Sequence, residues 1–342
     1  MTVIIIEFAL CLALVFWAGK NVAISGDALA QKTGLGGLWI GVVLMAAVTS
    51  LPEIFTGVGS IVFVGNPDLT FGDILGANTY NLLKIAVLDY FAVGVPILSA
   101  MSRGQTLTAW LSLSPLVFVI GGLLGAPMGF NASFLNISVW SWGVAISYAF
   151  SMRAIYLHEK DARAAGEPPQ TSPAAVAPPS EMASPLKKIW IHFLLSAAVV
   201  VACGIWLAYI GDGFVEKMGW HSSFVGTLIL GFATTMPEIA VSFAAMRIGA
   251  HEMAVANMIG SNLFNYAIIF VNDALYSKGD IFAALDTYAH LNTTGAILAM
   301  TVVVIIGMRL RSKRKLAAGF AWYSYLLAAL FLAGAILNFS SK

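Results

Sequence analysis

The sequence predicts an all-α polytopic membrane protein, with about ten transmembrane helices arranged as two inverted five-helix repeats. Three observations carry this. Of 342 residues, 59% are hydrophobic and only 10% charged, against roughly 25% charged in a soluble domain. Apolar segments recur along the whole chain at the ~20-residue length of a bilayer span. Two sequence blocks of the first half also return in the second half, in the same order. The composition excludes an ordinary soluble enzyme, a nucleic-acid-binding domain and a disordered scaffold, and a net charge of +1 offers no basic surface.

The apolar segments fall at 2–19, 36–64, 71–94, 106–125, 132–157, 188–210, 224–247, 253–275, 289–308 and 317–337. The first lacks a basic start and holds Glu7, so it reads as a retained helix rather than a cleaved signal. Cys11 and Cys203 each lie inside an apolar stretch and read as small buried hydrophobes, supporting neither a disulfide framework nor a thiolate metal site. Residues 158–186 hold six of the chain's 12 prolines and read as a mobile linker. The linker separates a first half, 1–157, from a second, 187–342, with five spans each.

Basic residues orient the spans. With both termini outside, fourteen Lys and Arg fall on the cytoplasmic side with the linker and three fall outside, while Lys84 lies within a span. The cluster RLRSKRK at 309–315 reads as part of that topology signal. The expected location is a plasma membrane or bacterial inner membrane.

The repeat is specific. GVVLMAAVTSLPE (41–53) matches GTLILGFATTMPE (226–238) at an offset of 185, and DILGANTYN (73–81) matches NMIGSNLFN (257–265) at 184. Gly76, Asn78, Asn81 and Asp89 thereby fall on Gly260, Asn262, Asn265 and Asp273. The copies lie five spans apart, an odd number, so the second crosses the bilayer upside down. Many secondary transporters are built this way, with the substrate site near the midplane between the halves.

Glu53 and Glu238 sit deep in apolar segments at equivalent repeat positions. A charged group there costs at least about 2.5–3.5 kcal/mol, so its retention points to function. Thr49 and Ser50 precede Glu53 by four and three residues and share its helix face, as Thr234 and Thr235 do for Glu238. Pro52 and Pro237 have no N–H, which frees the carbonyls of Val48 and Ala233. Asn81 and Asn265 add neutral oxygens from the next helix. Gly76 and Gly260 permit close helix approach, and Asn78 and Asn262 read as binding groups or as packing. A hard cation such as Ca2+ takes about 6–8 oxygens, carboxylates among them. This set can supply them, and no His or Cys cluster competes.

These blocks resemble the two alpha repeats of the cation/Ca2+ antiporter superfamily, the sodium/calcium exchanger group. The family pattern G-T-S-x-P-E followed by G-S-N-x-x-N/D is met here as VTSLPE with GANTYN and as ATTMPE with GSNLFN. The lead-in DALAQKTGLGGLWIGV (27–42) is similar too. The resemblance spans both halves. It implies antiport of a cation, often Ca2+, against Na+ or H+ by alternating access, with no enzymatic activity and no cofactor. It implies ion binding by Glu53 and Glu238, assisted by Thr49, Ser50, Thr234, Thr235, Asn81, Ser261 and Asn265. The implied partners are inorganic cations and the lipid bilayer; neither nucleic acid nor a protein partner is suggested.

Some positions depart from the family pattern. Asn265 stands where sodium/calcium exchangers often carry Asp, Ala77 stands opposite Ser261, and Val48 and Ala233 replace glycines. Lys84, three residues after Asn81, either adds a positive charge to the site or pairs with Asp89 or snorkels away. Asp73, eight residues before Asn81 and so about 12 Å along the helix, reads as a carboxylate on the access route. Two glutamates neutralise one Ca2+, two Na+ or two protons, which predicts little net charge movement. The alternatives are an exchanger of the same fold for Na+, K+ or another metal, an intramembrane hydrolase using the two glutamates as an acid/base pair, and a non-transporting interaction protein. No nucleophile motif supports the hydrolase.

Overall fold

The protein is described from a computed structural model, which covers residues 2–32, 47–92, 94–165, 177–316 and 319–340. Among the described residues, the long helices group into ten successive segments. The first half holds α1 (Thr2–Lys32), α2 (Leu51–Val58, prolonged by a π-helical turn Gly59–Val64), α3 (Pro67–Phe91), α4 (Arg103–Leu111 and Leu113–Gly125) and α5 (Val139–Ala164). The second holds α6 (Leu186–Met218), α7 (Ser222–Thr234 and Met236–Arg247), α8 (His251–Leu275), α9 (Thr287–Leu310) and α10 (Trp322–Ser340). This is the all-α polytopic membrane fold with two inverted five-helix repeats.

Among the described residues, six helices are individually long and apolar enough to cross a bilayer, and the α7 pair, bent by 43°, adds a seventh. The start of the second apolar segment lies outside the described residues. α3 spans 25 residues yet carries Asp68, Asp73, Lys84 and Asp89. A helix that polar is tolerated only inside a bundle, and most of α3 is buried. α8 is its counterpart, with 72% of its apolar window buried, against 28% for α1 and for α10.

Local sequence explains the boundaries. Asn66 caps α3 by accepting the Leu69 N–H, and Pro67 fills the first turn, where its missing N–H costs nothing. Gly219, left-handed at φ 65°, ends α6. α5 begins at Val139, later than the apolar segment suggests, because 133–138 form a hairpin, β1 (Ser133–Phe134) with β2 (Ile137–Ser138). At the other end α5 runs on to Ala164, and α1 runs on to Lys32, well past Gly19. Asp27 on that extension accepts the N–H of Ala177, where Ala177 and Met182 pack against Ala28, Leu29 and Ile189.

α1 lies along α6, where Cys11, Val15, Leu207 and Ile210 form a second core with Leu69 of α3 and Val225, Leu230 and Ala233 of α7. The two cysteines are free and buried, and Cys11 Sγ donates to the Cys203 carbonyl at 3.4 Å. The main core joins α3, α4, α8 and α9.

Two contacts between the halves set the geometry. The first is a reciprocal clasp by repeat-equivalent aspartates. Asp89 Oδ1 accepts the Ile97 N–H at 2.8 Å and the Tyr323 hydroxyl at 2.6 Å; its Oδ2 accepts the Ala321 N–H at 2.7 Å and the Ser324 hydroxyl at 3.0 Å. Asp273 Oδ2 accepts the Ser138 N–H at 2.8 Å. The first half thus holds the head of α10, and the second half holds the head of α5. The other contact is the crossing of α3 over α7. A Cβ at Gly72 would lie 2.7 Å from the Ser223 carbonyl, and one at Gly231 would lie 2.8 Å from the Ala77 nitrogen. Gly76 faces the Thr227 backbone still more closely. Only glycine lets two backbones approach so far.

Gly76→Ala is therefore expected to force α3 and α7 apart and to lower the thermal midpoint in detergent by several degrees or abolish monodisperse protein. Gly295→Ala on α9, where no atom lies within 4 Å of the added methyl, should leave the midpoint unchanged or slightly raised.

Candidate functional site

Both motif helices break at the same repeat position. α2 is interrupted at Ser50 (φ −88°, ψ 13°) and α7 at Thr235 (φ −80°, ψ 13°). Pro52 and Pro237 follow, placed in the first turn of the renewed helix, where proline is welcome. Glu53 and Glu238 share that first turn. The positive end of each half-helix dipole therefore points at its own carboxylate.

Glu53, Glu238, Thr49, Ser50, Thr234, Thr235, Asn81, Ser261, Asn265 and Ala233 are all fully buried, and Val48 nearly so. The fold brings the two glutamates, 185 residues apart in sequence, within electrostatic reach of each other. The hydroxyls of Thr49 and Ser261 face Glu238. Both carboxylate oxygens of Glu53 have no hydrogen-bond partner, nor have Ser50 Oγ and Asn265 Oδ1, while Glu238 has the two hydroxyls beside it but no bond of full hydrogen-bond geometry. Buried polar oxygens are nearly always paired, so this cluster is an exception that calls for an explanation.

The repeat axis passes between α3 and α8. Asn262 Nδ2 donates to the Asn78 carbonyl at 3.1 Å, and Asn78 Nδ2 returns a bond to the Asn262 carbonyl at 3.4 Å. Asn265 Nδ2 donates to Asn78 Oδ1 at 3.0 Å. With its amide nitrogen committed, Asn265 presents only its oxygen to the centre.

Other expected donors are engaged within the protein. Thr234 Oγ1 donates to Asp73 Oδ1 at 2.9 Å, and Thr235 Oγ1 donates back to the Gly231 carbonyl at 2.8 Å. The Ala233 carbonyl, which Pro237 leaves without its helical partner, takes the N–H of Thr235. The carbonyl at this break that receives a side chain is that of Thr235 itself.

Lys84 neither pairs with Asp89 nor snorkels. It is 8% exposed, and its Nζ donates to the Thr235 carbonyl at 2.7 Å and to Asn81 Oδ1 at 3.1 Å. Its charge interacts with Glu238 and Glu53. Asp89 is meanwhile committed to α10. Asp73 also differs from its expected place on an access route. It is fully buried, and its charge interacts with both glutamates. Spacing along α3 suggests distance from Asn81, whereas the glycine crossing carries Thr234 of α7 to Asp73.

Among the described residues, no three of His, Cys, Asp and Glu converge on one point. A divalent ion here would draw on at most two carboxylates and complete its shell with hydroxyl, amide and backbone oxygens. That is the chemistry of a hard cation, not of zinc.

An inverted-repeat bundle with paired buried acids at broken midplane helices defines a secondary-transporter architecture. Comparison with known proteins identifies the family. The model for the sodium/calcium exchanger protein family matches residues 3–157 and 188–337. The chain belongs to that family. It is 25% identical over 294 residues to a candidate antiporter, CaxA, of Alkalimonas amylolytica, covering 85% of this chain and 87% of that one. It is 24% identical over 298 residues to the inner membrane protein YrbG of Escherichia coli, covering 85% and 84%. Among solved structures, native YfkE superposes with a TM-score of 0.64 at 17% identity, covering 97% of this chain and 91% of that one. The sodium-calcium exchanger NCX_Mj superposes with a TM-score of 0.58 at 18% identity, covering 97% of each chain.

Buried carboxylates so short of hydrogen bonds also bear on stability. Glu53→Gln and Glu238→Gln should melt no lower than wild type in cation-depleted buffer, because the amide carries no charge to bury. Both should lose most of any upward shift that wild type gains on adding Ca2+ or Na+, read by thermal denaturation in detergent. A large destabilisation in depleted buffer would instead mark these glutamates as structural.

Proposed function

We propose that the protein is a secondary active antiporter that exchanges Ca2+ for Na+ or H+ by alternating access at the Glu53–Glu238 centre. The observation that carries this reading is the convergence of two glutamates from opposite halves, fully buried, with no hydrogen bond of full geometry to their carboxylate oxygens. A buried carboxylate pair repels itself and is costly to desolvate. A cation between the two removes both costs, and exchange follows when competing cations reach the same centre from opposite sides in turn. Thr49, Ser50, Ser261 and Asn265 supply the further oxygens of this reading, with backbone oxygens from the breaks near Val48 and Ala233. The relatives named as antiporter and exchanger support it.

The two halves, 1–157 and 187–342, act as the rocking units of the proposal, joined by the linker 158–186 on the cytoplasmic side with both termini outside. α1 and α6, which pack along each other, are the moving pair in this reading. A second reading, exchange of Na+, K+ or another metal without Ca2+ selectivity, draws on Lys84, whose fixed positive charge penalises a divalent ion more than a monovalent one.

Purified protein in liposomes should take up 45Ca2+ when an outward Na+ or proton gradient is imposed. Glu53→Gln and Glu238→Gln should each cut the initial rate at least tenfold. Absence of gradient-driven flux of any tested cation would remove the antiporter reading; flux of Na+ or K+ without Ca2+ would select the second one. Protons and metal compete for the same oxygens, so metal binding should weaken on acidification from about pH 8 to 5. A flat profile, read by isotope binding, would show that these carboxylates are not ligands.

A further inference from the structure

We infer that Lys84 is a tethered cation: its ammonium occupies one monovalent-cation position of the central site and lowers by one the number of mobile cations each cycle carries. The inference rests on the antiporter reading and goes beyond it to the ion count and to the residue that sets it.

The placement comes first. The ammonium lies 3.1 Å from Asn81 Oδ1 and 2.7 Å from the Thr235 carbonyl. Both are neutral oxygens of the kind a sodium or potassium ion would use, one from the Asn motif and one from the helix break. The inverted repeat supplies an internal control. The residue equivalent to Lys84 is Ile268, and the equivalent asparagine, Asn265, keeps its Oδ1 without a partner. One of two symmetry-related positions thus carries a fixed positive charge, and the other is left to mobile ions.

The charge count comes second. α3 departs from α8 at another repeat position, with Asp73 against Asn257. The two departures carry opposite charge, and both groups interact with Glu53 and Glu238. Three carboxylates without the lysine would need three monovalent charges for balance. With Lys84 supplying one of them, one Ca2+ or two monovalent ions suffice, and exchange moves no net charge. Lys84 also has space beside it. It lines a cavity of about 80 Å³ with Val87, Leu88, Ile239, Ser242, Phe243 and Met258. The longer guanidinium of a Lys84→Arg variant has that space to fit into.

The test is equilibrium binding of 22Na+ to purified full-length protein in detergent, paired with current measurements on supported proteoliposomes. Lys84→Met should bind one more sodium ion per chain than wild type. Its Na+-driven exchange should carry a current where wild type carries none. Lys84→Arg, which keeps the charge, should retain the wild-type count. The double variant Asp73→Asn/Lys84→Met restores the charge balance and should also return to the wild-type count without current, which covers the case in which Lys84→Met alone does not fold. Equal sodium counts in wild type and Lys84→Met, or a wild-type current proportional to turnover, would overturn the proposal. If wild type transports nothing but Lys84→Met still gains a sodium ion, the tethered cation stands and the antiporter reading falls. If wild type exchanges cations but the counts are equal, the reverse holds.

Discussion

The helices of this molecule must accommodate two buried carboxylates brought together from opposite halves of the chain. Glu53 and Glu238 are excluded from solvent, lie within electrostatic reach of each other, and have no hydrogen bond of full geometry to their carboxylate oxygens. In a low-dielectric interior such a pair drives the surrounding helices apart or captures positive charge. The helix breaks at Ser50 and Thr235 provide partial relief, because each exposes the positive end of a half-helix to its own glutamate. In the proposed function, a bound cation satisfies the remainder.

The scaffold withstands that repulsion through contacts made twice. Asp89 and Asp273 each tie one half of the chain to the head of a helix in the other half. Asn78 and Asn262 bond across the axis between α3 and α8. Each exchange commits an inward-facing polar group to backbone or side-chain partners in the other half, which stiffens a dry interior. The glycine crossing of α3 and α7 adds a contact that tolerates no side chain.

Symmetry builds the centre, and departures from symmetry specialise it. Ser261 faces Glu238, whereas its repeat equivalent is Ala77. Asp73 and Lys84 have neutral counterparts in Asn257 and Ile268. α3 therefore differs from α8 in charge distribution while sharing its fold. On the proposed function, changing a few side chains on one central helix would retune which ions are carried without altering the backbone.

The sequence by itself determined the membrane class, the number and order of the spans, the inverted repeat, and the two glutamates as its equivalent buried acids. These follow from composition, from length against bilayer thickness and from self-similarity, none of which requires knowing what lies across from a residue. The long α1, the hairpin before α5 and the helical extension to Ala164 escaped that reading because they lie where hydropathy falls while local hydrogen bonding persists. The positions of Asp73 and Lys84 could be decided only by the tertiary structure. Spacing along α3 gives their distances from Asn81 but not what α7 places beside them. Thr234 reaches Asp73, and the Thr235 carbonyl reaches Lys84, because glycines on two separate helices let the backbones touch. A contact of that kind belongs to the packing of the two helices and is written in neither one alone.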